Sequence, residues 1–199
     1  MLNHKATMEQ HGGKEVCLNA VQRDESFIQF IHDPDKDIQL AAIHHNKYAI
    51  RLITNIHKEV QLEAVRCDGK DIQLIHNPDK DVQLAAVQQN GYAITYIHNP
   101  DKDIQLAAIN YDTYAIRFIH DPDKDIQLAA VQRDGYAIKF IHNPDKDVQL
   151  AAVQQNGWTI QLIYNPDKDI QLAAVRQDRS SIQFIDNPNK DVRLAANYK

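Results

Sequence analysis

The chain has 199 residues, a formal charge of −5 and a pI near 6.0, a balance that speaks against nucleic acid or an anionic membrane as its partner. No apolar run approaches the ~18 residues of a membrane span, and the opening MLNHKATMEQ lacks the apolar centre of a secretory signal. Cys17 and Cys67 are the only cysteines, so no disulfide framework is indicated and a cytoplasmic chain with reduced thiols is expected.

Residues 1–10 fall outside any register and are expected as a cap or frayed segment. From His11 a unit of 22 residues begins and recurs in step: HGGKEVCLNA at His11, DPDKDIQLAA at Asp33, NIHKEVQLEA at Asn55, NPDKDVQLAA at Asn77, NPDKDIQLAA at Asn99, DPDKDIQLAA at Asp121, NPDKDVQLAA at Asn143, NPDKDIQLAA at Asn165 and NPNKDVRLAA at Asn187. Eight full repeats therefore span 11–186, and a half-repeat at 187–199 closes the series. So strict a period marks an array whose fold is read from one unit.

Each repeat is numbered here 1 to 22 from its Asn or Asp. In the repeat from Asn77, Asn77 is expected as the helix N-cap and Pro78 as the first helical residue. Asp79 and Asp81 then favour the positive end of the helix dipole. Val82, Leu84, Ala86 and Val87 form the apolar stripe, and Asn90-Gly91 is expected to end the helix with Gly left-handed. Tyr92 to Ile97 reads as a second helix of about two turns, α or partly 3-10. Leu at position 8 and Ile at positions 18 and 21 hardly vary, as core columns do. A β-solenoid needs alternating apolar residues ahead of its Asn, where this chain places QQ, HH, QR or RQ. The predicted fold class is all-α: an α-solenoid of nine 22-residue helix-turn-helix repeats.

The repeated groups carry little chemistry of their own. Histidine recurs at position 22, but one repeat of separation is too far for a shared metal ion. Only His4, His11 and Cys17 raise a zinc site as an alternative, and no metal or cofactor is expected. Lysine at position 4 stands among carboxylates and reads as a row of ion pairs, and Gln at position 7 as a hydrogen-bonded ladder. A homogeneous array offers no unique constellation, so no enzyme is expected.

The pair at positions 12 and 13 differs, because it varies on a fixed scaffold. It comprises His44 and His45, Arg66, Gln88 and Gln89, Asn110 and Tyr111, Gln132 and Arg133, Gln154 and Gln155, and Arg176. With Trp158, the only tryptophan, these residues are the candidate contacts for another protein laid along one face. The competing readings are a nucleic-acid code of one base per repeat and a structural, self-associating assembly. Aromatic residues at positions 16 and 20 form an i, i+4 stripe on the short helix.

The run from Lys80 through Leu84-Ala85-Ala86-Val87 and Asn90-Gly91-Tyr92-Ala93-Ile94 resembles a family of short helical repeats of unassigned function found in phages, giant viruses and intracellular bacterial pathogens. The architecture is similar to leucine-rich repeat variant proteins, which alternate α and 3-10 helices. The first resemblance implies a phage or viral protein that sequesters a host defence factor. Neither implies a catalytic residue.

Overall fold

The computed structural model describes residues 13–197, and among these there is helix but no strand. Two compact units divide between His98 and Asn99. The first contains α1 (Gly13–Arg23), α2 (Lys36–His45), α3 (Lys58–Cys67) and α4 (Lys80–Gln89), each followed by a 3-10 helix: η1 (Glu25–Phe30), η2 (Lys47–Leu52), η3 (Gly69–Leu74) and η4 (Gly91–Tyr96). The second contains α5 (Lys102–Tyr111), η5 (Thr113–Phe118), α6 (Lys124–Arg133), η6 (Gly135–Phe140), α7 (Lys146–Gln155), η7 (Gly157–Leu162), α8 (Lys168–Gln177), η8 (Arg179–Phe184) and the closing α9 (Lys190–Asn197). Within each unit α-helices stack on α-helices and 3-10 helices on 3-10 helices, the all-α solenoid that the period predicts. The expected cap at residues 1–10 lies outside the described residues, as do His4 and His11.

The α-helix begins two residues later than the sequence suggests. The N-cap is the Asp at position 3: Asp35, Asp79, Asp123 and Asp145 each accept a hydrogen bond at 3.0 Å from the backbone N–H three residues on. Asn189 does the same in the last repeat. The Asn or Asp at position 1, expected as the cap, is instead left-handed, with φ of 48–51° at Asp33, Asn77, Asn99, Asp121, Asn143, Asn165 and Asn187. Asn and Asp tolerate that region better than other side-chain-bearing residues, and the following proline disfavours the right-handed alternative. Asp145→Ala is therefore expected to cost about 0.5–2 kcal/mol, and Asn143→Gly almost nothing, since glycine adopts the same backbone freely. Thermal melts of the two variants check this; the reverse order restores the cap to Asn143.

The helix end also departs from expectation. Asn90 is extended, at φ −150°. Its N–H donates to Ala86 O at 2.9 Å, closing the α-helix, while its Oδ1 accepts from Tyr92 N at 3.1 Å, opening the 3-10 helix. One Asx side chain thus joins two helix types, and Gly91 is the first residue of η4 rather than a left-handed stop. The second helix is 3-10 throughout.

Positions 6, 10 and 11 of the α-helix and 17, 18 and 21 of the 3-10 segment fill the core of a regular repeat, as Ile126, Ala130, Val131, Ala137, Ile138 and Ile141 show. Each buried Ile or Val contributes roughly 1.5–3 kcal/mol, which ten-residue helices need because they are marginal alone. Leucine at position 8, expected in the core, is only half-buried, and Leu194 is 48 % exposed. Position 8 flanks the stripe that faces the 3-10 layer.

Two polar patterns recur along the chain, the first closing each regular repeat on itself and the second joining one repeat to the next. Gln at position 7 donates to the carbonyl of Pro at position 2, as Gln83 does to Pro78 at 2.7 Å and Gln127 to Pro122 at 2.8 Å. Lysine at position 4 reaches forward to the next repeat. Lys14 pairs with Asp35 and Asp37, Lys58 with Asp79 and Asp81, Lys102 with Asp123 and Asp125, Lys124 with Asp145 and Asp147, and Lys146 with Asp167 and Asp169. The position-3 carboxylate therefore caps its own helix with one oxygen and takes the preceding lysine with the other.

Candidate protein-interaction surface

Positions 12 and 13 lie at the exposed end of each α-helix, as expected. Their roles nevertheless divide. At position 13, Gln89 Oε1 accepts from Gly69 N at 2.6 Å, Gln155 Oε1 from Gly135 N at 2.8 Å and Gln177 Oε1 from Gly157 N at 2.7 Å. Each bond joins a glutamine to the glycine 20 residues earlier, at position 15 of the preceding repeat. These glycines are needed for close approach. A Cβ on Gly69 would stand 2.4 Å from Ala86 O, and on Gly157 2.5 Å from Ala174 O.

Where position 15 is not glycine, the junction uses other chemistry. Glu25 accepts from Asn46 Nδ2 at 2.7 Å and lies 2.8 Å from His45 Nδ1; the Asn46 bond is the main cause holding its carboxyl below the usual range. Lys47 bonds the buried Asp71 at 2.8 Å and Asp68 at 3.3 Å, and the Asp71 bond raises the lysine above its ordinary value. The variation at His45, Gln89 and Gln155 therefore follows from how repeats are joined.

The rest of the variable pair is open to solvent. His44 has only a 3.7 Å approach to Glu63. Arg66, Gln88, Asn110, Gln132, Arg133, Gln154 and Arg176 are exposed, and Tyr111 is 52 % exposed. Trp158 lies on the other layer, at the start of η7 and 38 % exposed. Its indole N–H donates to Asp178 Oδ2 at 2.8 Å and Ser180 Oγ at 3.0 Å, and its ring meets Phe184 edge-on at 5.4 Å between centroids. Its N–H is therefore satisfied within the chain.

The larger apolar surface is one that the α-face reading passes over. Of twelve exposed large hydrophobic residues among those described, nine belong to the 3-10 layer and its exits: Phe27, Phe30, Tyr48, Leu52, Tyr96, Phe118, Trp158, Leu162 and Tyr164. Cations at position 19 lie over rings of this layer, including the half-buried Tyr114 and Phe140. Arg51 is 5.8 Å from the Tyr48 centroid, Arg117 4.4 Å from Phe118, and Lys139 4.6 Å from Phe140 and 5.3 Å from Tyr114. Tyr114 and Phe140 themselves meet edge-on at 5.5 Å. A hydrogen bond to Asp134, in the next repeat, pushes the Tyr114 phenol up. The available signal in the sequence was the cation beside the position-20 aromatic.

The array is least regular between the second and third repeats. Asn55-Ile56-His57 replaces Asn-Pro-Asp, and His57 makes no side-chain cap. Gln39 compensates: it is fully buried, donates to Pro34 O and Asn55 O at 2.8 Å, and accepts from His57 N at 3.0 Å. A cavity of about 460 Å³ opens at this step, lined by residues that include Arg51, Thr54, Asn55 and His57. Among the described residues no cluster of His, Cys, Asp or Glu is placed to hold a metal ion, and no helix is long and apolar enough to cross a membrane. His76, His120 and His142 at position 22 are exposed.

These features define a helical repeat protein in which α-helices alternate with 3-10 helices and, within each unit, side chains bond one repeat to another. The chain belongs to the family described as Domain of unknown function (DUF4116), whose profile matches residues 57–100, 101–144, 123–165 and 145–189. Each match begins at position 3, where the structure places the helix cap, and covers about two structural repeats. The first two matches abut and the last three overlap by about one repeat, so the 22-residue step is the physical unit. No curated protein and no solved structure matches the chain.

Proposed function

We propose that the chain is a non-enzymatic solenoid that binds another protein along its repeats. The observation that carries this reading is the concentration of exposed apolar side chains in the 3-10 layer. Rows of partly exposed aromatic residues beside cations are the composition from which interface hot spots are built. The layer also moves the centre of the surface away from positions 12 and 13. On the resemblance of its repeats to those of phages and giant viruses, we place the partner among host proteins, a defence factor being what such a chain would sequester.

Capture on the immobilised full chain, from host lysate, tests the reading against a Phe118→Ser/Leu162→Ser variant and a Tyr111→Ala/Arg133→Ala/Arg176→Ala variant. The expected result is a protein retained by the second and lost, by at least about tenfold, from the first. Loss from the second alone returns the site to the α-face. Salt-sensitive retention of nucleic acid and no protein overturns the reading.

A further inference from the structure

The second unit has a charge asymmetry that narrows the kind of partner. The chain carries −5 overall, yet η5 to η8, TYAIRF, GYAIKF, GWTIQL and RSSIQF, contain Arg117, Lys139 and Arg179 and no carboxylate. Asp123, Asp125, Asp145, Asp147, Asp167 and Asp169 sit at the α-helix starts, engaged by lysines. Asp134 and Asp178, at the 3-10 caps, accept from Tyr136 N and Ser180 N at 2.9 Å. The 3-10 helices themselves are thus basic and aromatic on an acidic protein, with Asp134 against Tyr114 and Asp178 against Trp158 at their edge.

The 3-10 face ends in a groove of about 500 Å³, with Leu162, Tyr164, Pro166 and Phe184 in its lining and Asp186 beside them. Tyr164 is 98 % exposed. We infer that the 3-10 face of the second unit binds an acidic peptide segment of its partner, with carboxylates over Arg117 and Lys139 and an apolar side chain in the groove at Leu162 and Tyr164. The inference rests on the protein-binding reading above and names its partner's chemistry.

Geometry sets the spacing. Packed helices repeat at about 8–10 Å, and an extended peptide advances about 3.3 Å per residue. One repeat is crossed by about three residues, so carboxylates three apart, followed three residues later by a large apolar residue, match Arg117, Lys139 and the groove. The same face is poorly suited to stacked bases, which need free ring faces. Here Lys139 lies over Tyr114 and Phe140, and Arg117 over Phe118.

Selection of a random displayed peptide library on the full chain tests this, with R117E/K139E as the comparison variant and Trp158, the only tryptophan, as a fluorescence reporter. The expected winners carry spaced acids and an apolar anchor, perturb Trp158 emission, and bind the variant at least about tenfold more weakly. An unchanged melting temperature shows that the variant is folded. Winners that bind both proteins equally overturn this surface and leave the protein-binding reading standing. A library with no winners overturns both. Single-stranded oligonucleotide binding lost in R117E/K139E, or self-association lost in it, overturns the peptide in favour of nucleic acid or a second copy.

Discussion

The thermal midpoint of the protein is expected to stay level from about pH 5 to about pH 9 and to fall steeply below about pH 4. The cause is the position-3 carboxylate. Asp35, Asp79 and Asp123 are held below the ordinary carboxylate value first by the backbone N–H they cap and then by the lysine of the preceding repeat. In Asp167 the lysine comes first. A depressed carboxylate contributes stability that is present above its unfolded value and lost as the pH falls through the folded one. Lys58, Lys102 and Lys124 are raised by their aspartates, so their contribution is present below the ordinary lysine range and is lost only as the pH rises past it. Each exposed link is weak and screened by salt. Acid acts on all of them together, however, and in an array stability sums along the repeats. Replacing Asp123, Asp145 and Asp167 by Asn keeps the cap acceptor and removes the charge. That triple variant should lose part of the acid limb, and an acid limb of unchanged steepness sinks the argument.

Gly135→Thr is expected to cost about 1–3 kcal/mol by overpacking. Its Cβ would lie 2.7 Å from Ala152 O, 2.9 Å from Gln155 Oε1 and 3.0 Å from Thr159 Cγ2. Threonine is the informative replacement because Thr113 holds the same position one repeat earlier, and there the residue 20 places on is Arg133 rather than glutamine. At that step η5 packs less closely on α6 than η6 does on α7. The Thr113 side chain is accommodated there and buried. Adding Gln155→Arg to Gly135→Thr should therefore recover part of the loss, with a coupling of about 0.5–3 kcal/mol between the two sites. Chemical denaturation of the two single variants and the double measures it, and simple additivity would mean that the junction pair is not coupled.

Much of this architecture is legible in the sequence because every repeat states it again. The isoleucine columns at positions 18 and 21 follow from what all eight full repeats keep, and the glutamine bond at position 7 from what seven of the nine starts keep. The cap is harder to place because Asn-Pro-Asp offers two cap-grade residues, and general preferences favour Asn followed by Pro. The ninth repeat holds the corrective sign: it reads Asn-Pro-Asn, so that position 3 exchanges the usual aspartate for another good cap, Asn189. Gly91 reads as a helix stop because Asn-Gly is ordinary turn grammar, while its actual constraint is a neighbour 20 residues away in a stack. Position 13 reads as surface variation for the same reason. Its exposure is genuine, but Gln89, Gln155 and Gln177 each accompany a glycine 20 residues earlier, a coupling visible only once that distance is known to matter. The cations over the aromatic rings, by contrast, depend on the 3-10 geometry that brings Lys139 over Tyr114 of the repeat before it.

The forward-pointing lysine gives the array a direction, and with it a rule for recombination. Within the second unit each lysine from Lys102 to Lys168 reaches an aspartate of the following repeat, so a block excised there in register leaves no half-link behind. Loss of residues 143–164 would set Lys124 against Asp167 and Asp169, and Gly135 against Gln177, pairs of the same kinds that the intact chain uses. Loss of residues 121–142 would satisfy the lysine equally but bring Thr113 to face Gln155, a mismatch. Unequal crossing-over can therefore lengthen or shorten such a gene freely in the lysine ladder, while the glycine–glutamine junction decides which neighbours are compatible.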